Sequence, residues 1–162
     1  MLFLGLTNPV AMAFDGRLAN ATVSFGQWQT DPPFDRFPNS SPADRNNHAL
    51  IPDELKIPLD GAINFLIGGF HIVYDVGTQP GDVDATKTTP STGTPTGVPL
   101  IDDPTNRVYR GLDPSLQPRD RGEVVYFPKP GTYVVICGIQ GHFVNDGLFE
   151  FVTVLATSII AD

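Results

Sequence analysis

Apolar and polar positions alternate along this chain in short runs, and none of the runs has the three-to-four spacing of a long amphipathic helix. Residues 20–27 alternate around Ala21, Val23 and Phe25 and predict an early strand. The following stretch, DPPFDRFPNSSPADRNNHAL, is dense in Pro, Asp, Asn and Ser and predicts a surface loop up to residue 50. Leu50 to Leu59 is extended chain interrupted by Pro52 and Pro58, which suits a sheet edge. Asp60-Gly61 is a turn signal, after which Ile63, Phe65 and Ile67 share one parity and should face a core. Gly68-Gly69 permits a bend before FHIVYDV at 70–76.

Residues 77–105, rich in Thr, Pro, Gly and Asp, lose all periodicity and predict a long surface excursion with few apolar anchors. Asp113-Pro114 can start a short helix or turn. Order returns with a strand at 122–127, a turn at Pro128–Gly131, a strand from Thr132 to Cys137, a ten-residue loop at 138–147 and a last strand at 148–155. Many short strands joined by Gly/Pro-rich turns predict an all-β sandwich or barrel, with residues 20–162 as one domain.

Composition narrows the function. Sixteen Gly and sixteen Pro reinforce short strands over helices. A formal net charge of −8 with no Lys/Arg stripe argues against nucleic acid and favours partners with a basic docking surface. No apolar stretch reaches transmembrane length. Residues 1–19 read either as a signal-like or flexible leader or as a first segment of the domain: MLFLGLTNPVAMA is apolar and ends small-x-small, but it lacks a basic start and carries Asn8-Pro9.

One cysteine excludes an internal disulfide and leaves a buried thiol or a metal ligand. Cys137 closes the run TYVVIC, and His142 follows five residues on, across a loop with Gly138 and Gly141 at its ends. His71 follows the Gly-Gly bend. The third histidine, His48, sits in the polar loop with no visible constellation around it. Two imidazoles and a thiolate suit copper in electron transfer, while zinc would ask for a fourth ligand or a water. A Cys–His hydrolase nucleophile lacks an oriented third partner.

GGFHIVYDV at 68–76 and YFPKPGTYVVICGIQGHFVNDGLFEFVTV at 126–154 resemble the cupredoxins, the blue copper family that includes plastocyanins, azurins and the domains of multicopper oxidases. The resemblance covers about residues 50–154 and implies a Greek-key β-sandwich. It implies one type 1-like copper held by His71, Cys137 and His142, redox proteins as partners, and an exported, periplasmic or extracellular location. Leu148 stands at the family's usual axial Met position and has no donor atom, so the fourth position is expected to be empty or approached by the backbone carbonyl of Phe70. Ile72 replaces an Asn that ties the ligand loops together in the family, and Glu150 replaces a small residue. The resemblance implies an electron carrier. Three histidines cannot build the extra ligand sets of a self-contained oxidase. The alternative is a cupredoxin-like binding or copper-carrier module that uses the 77–105 excursion as its surface.

Overall fold

The computed structural model describes residues 19–28, 47–75, 80–93, 97–103 and 109–156. Apart from Ala19, the signal-like segment at 1–19 lies outside them. Two sheets pack face to face. The first has the order β2-β1-β4-β9, built from β1 (Ala21–Trp28), β2 (Asn47–Ile51), β4 (Gly61–Gly68) and β9 (Asp120–Phe127). The second has the order β3-β11-β10-β5-β8, built from β3 (Glu54–Ile57), β5 (Val73–Asp75), β8 (Tyr109–Arg110), β10 (Gly131–Cys137) and β11 (Phe149–Val154).

The chain crosses between these two sheets from β2 to β3, β3 to β4, β4 to β5, β8 to β9 and β9 to β10, which gives the Greek-key path. Most neighbours are antiparallel; β1 beside β4 and β3 beside β11 are parallel. The Cys137 strand lies against the strand that follows Leu148, as the sequence predicts. Proline and turn signals account for the edges, since β2 and β3 flank Pro52 at the rims of the two sheets.

Alternation decides which residues fill the space between the sheets. Val23 and Phe25 of β1, Ile63, Phe65 and Ile67 of β4, and Val125 and Phe127 of β9 are buried, and so are Val152 and Val154 of β11. Phe25 and Phe65 meet edge to face at 5.9 Å. In β10, Val134, Val135, Ile136 and Cys137 are all buried, so both of its faces are covered.

Three expectations are corrected. Residues 47–50 belong to β2 and not to a loop, because their backbone pairs with β1 in the register Gln27↔His48 and Phe25↔Leu50. The 138–147 loop contains a helix, α1 (Gln140–Asp146). Its residues are indifferent helix formers. Gly147 ends it in the left-handed region at φ 65°, and the amides of Gly147 and Leu148 both donate to the His142 carbonyl. The 77–105 segment is not free of apolar anchors. It carries a hairpin, β6 (Thr88–Pro90) with β7 (Pro99–Ile101), whose Leu100 and Ile101 are buried. The Ile101 amide donates to the Gly138 carbonyl at 2.7 Å, so the hairpin braces the loop after Cys137.

Candidate metal centre

The sheet changes bring distant side chains to one end of the sandwich. His71 lies in the β4–β5 crossing, Cys137 at the end of β10, and His142 on α1. His71 Nδ1 is 3.4 Å from Cys137 Sγ, His142 Nδ1 is 3.6 Å from the same sulfur, and the two Nδ1 atoms are 3.1 Å apart. His71 and Cys137 are fully buried, and His142 is half-buried.

The triangle has the dimensions of a metal site. An ion about 2.0 Å from each nitrogen and about 2.3 Å from sulfur would set trigonal ligands roughly 3.5 Å (N to N) and 3.7 Å (N to S) apart. The three separations fall within about 0.4 Å of that. The donor set of one sulfur and two imidazole nitrogens therefore fits a small first-row ion, and copper suits it.

Backbone contacts hold the crossing in place. The Gly69 amide donates to Asp120 Oδ1 at 3.1 Å, and Arg121 Nη2 donates to the His71 carbonyl at 2.8 Å. Arg121 Nε in turn pairs with Glu123 Oε1 at 2.8 Å in a largely buried ion pair, and Tyr109 donates to Glu123 Oε2. Burial, reinforced by the Glu123 charge, pushes the Tyr109 hydroxyl up to about 12, so it stays a donor. The Gly138 amide donates to the Ile72 carbonyl at 2.8 Å, a main-chain tie between the two ligand loops at a position where Ile72 offers no side-chain hydrogen bond. The Cys137 amide donates to the Leu148 carbonyl at 2.9 Å.

Gly26 is needed for close approach. A Cβ there would stand 2.6 Å from His71 Cδ2 and would run into the Gly68 carbonyl, and its φ of 125° is closed to other residues.

Burial sets the protonation of the ligands. It pushes the Cys137 thiol up to about 12, against backbone hydrogen bonds from Ile72 and Ile139 that favour the thiolate. It also pulls His142 down to about 4, helped by the nearby His48. His142 is therefore a neutral imidazole at physiological pH, ready to ligate, while Cys137 needs a cation to become a thiolate.

Leu148 is buried beside Cys137 and brings no donor atom. Phe70 is partly buried against the core. Gln140 turns away, its amide on the Ala85 carbonyl at 2.8 Å, and Asn145 and Asp146 face solvent. Tyr133 donates to the Lys129 carbonyl at 2.8 Å and so fastens the β9–β10 turn.

Sequence reasoning missed His48. On β2 its ring centroid lies 4.6 Å from that of His142 and 5.2 Å from that of His71. One ligand nitrogen from each of the three histidines falls within 4.8 Å of the other two. The alternation of HALI was the one available signal, and it was hidden by the polar run before it.

No family model matches the chain, and no curated protein does either. Among solved structures it is similar to a dithionite-reduced auracyanin from Roseiflexus castenholzii, at 23% identity over 67% of this chain and 89% of that one, with a TM-score of 0.45. A pseudoazurin from Methylobacterium extorquens AM1 matches at 16% identity over 86% and 77%, with a TM-score of 0.42. A purple cupredoxin from Nitrosopumilus maritimus matches at 13% identity over 83% and 99%, with a TM-score of 0.40. Likeness at this level carries no site or activity across. On its own strand order, the chain is a Greek-key β-sandwich.

Proposed function

We propose that the chain is a one-electron carrier built on a single copper ion held by His71, Cys137 and His142. The observation that carries this reading is the buried Nδ1–Sγ–Nδ1 triangle with sides of 3.1, 3.4 and 3.6 Å. Bound there, copper would supply a metal that alternates between Cu(I) and Cu(II) on ligands acceptable to both. The protein's part is to hold that ligand geometry through the Arg121, Gly138 and Gly26 contacts, and to keep water away with the buried Ile72, Ile139 and Leu148.

The half-buried His142 on α1 gives electrons a short path to the surface, next to the exposed Val144. A net charge of −8 suits redox partners with a basic docking face, and an exported location goes with the same reading.

Expression in copper followed by metal analysis and an optical spectrum tests it. One copper per chain is expected, with a thiolate-to-Cu(II) charge-transfer band that Cys137→Ser abolishes. Protein that takes up no copper, or a band that survives Cys137→Ser, overturns it.

A further inference from the structure

His48 does not behave as a bystander on a sheet edge. Its ring packs against both ligand imidazoles, and its Nδ1 is buried without a hydrogen-bond partner among the described residues. Leaving such a nitrogen unsatisfied costs about 1–3 kcal/mol. The position usually given to a sulfur donor is filled here by Leu148, which has none. The nitrogens of His48, His71 and His142 lie within 4.8 Å of one another. Four-coordinate ligands about 2 Å from an ion stand roughly 3.3 Å apart, so the His48 nitrogen comes within about 1.5 Å of that spacing from the other two imidazoles. An open cleft lined by His48, Asp53, Leu148 and Phe149 borders the His48 ring.

We infer that His48 is the fourth protein ligand of this centre, so that the ion is held by three imidazoles and one thiolate. The inference rests on the copper reading above. It changes the chemistry expected of the site. With copper bound, a third imidazole nitrogen from His48 would stabilise Cu(II) relative to a set of two imidazoles and one thiolate. A centre left with two imidazoles, one thiolate and an apolar Leu148 would instead favour Cu(I).

The test is pulsed EPR of the Cu(II)-loaded full chain labelled with 15N-histidine, which counts the imidazoles bound to the ion. Three are expected in the parent and two in His48→Gln, with a fall in copper affinity of more than about tenfold. Imidazole added to His48→Gly should enter the cleft and restore the parent spectrum. A parent with only two bound imidazoles refutes the ligand role of His48 and leaves the copper reading intact, and it needs no variant to fold. Unchanged affinity in a folded His48→Gln does the same. A parent that binds no copper overturns the copper reading itself, and the inference with it.

Discussion

Replacing Glu150 with glutamine removes one titration from the core while keeping its shape. Glu150 lies on the inward face of β11 with Val152 and Val154, is 0% exposed, and has no hydrogen-bond partner for either oxygen among the described residues. Burial, with a smaller contribution from the charge of Asp53, pushes its carboxyl from 4.5 up to about 8. The folded protein therefore holds this proton more tightly than the unfolded chain does. Stability is fully present below about pH 4.5, falls as pH rises through the window, and levels off above about pH 8. Each pH unit inside the window costs about 1.4 kcal/mol, which amounts to roughly 2.5 kcal/mol between pH 5 and pH 7. Urea denaturation of parent and Glu150→Gln across that range isolates the group, because every other titration is common to both. The parent's stability should drop relative to the variant's by about that amount. Parallel profiles would refute the reasoning and mean that Glu150 is charged and compensated in the fold.

Two further predictions concern the ligands and their supports. With its thiol held up to about 12, Cys137 is protonated at neutral pH before metal enters, so loading should release about one proton per ion, measured with an indicator dye in weak buffer. Arg121→Met should cost about 3–5 kcal/mol by denaturation, since it strands Glu123 in a largely buried site and frees the His71 carbonyl; Arg121→Met with Glu123→Leu should recover most of that stability.

Much of this fold was legible because β4, β10 and β11 have clear apolar runs bounded by strong turn signals at Asp60-Gly61 and Pro128–Gly131. The same clarity led from the Cys137 strand and the Gly-Gly bend to three side chains that do meet. What stayed hidden depends on long-range partners. NHALI becomes a strand only because β1 offers it an edge, and with that pairing His48 reaches the site. Helix α1 owes its form to the Gly147 cap and to Gln140 held on Ala85, neither of which a local propensity would weigh. Leu100 and Ile101 are buried because Gly138 and Ile139 give their backbone a partner 37 residues or more away.

The sheet changes that gather the ligands also fix what a bound ion would do to the rest of the chain. His71 and Cys137 are 66 residues apart, yet their donor atoms lie 3.4 Å from each other. An ion shared between them closes that span as a covalent cross-link would, and a loop of that length removes about 4 kcal/mol of disorder from the unfolded chain in the chain-entropy picture. Cys137 and His142 are close enough in sequence to keep a grip on metal after unfolding, which takes back part of the gain. In a chain whose single cysteine has no second cysteine to pair with, an ion held there would take over a disulfide's role, tying the β4–β5 crossing to the end of β10.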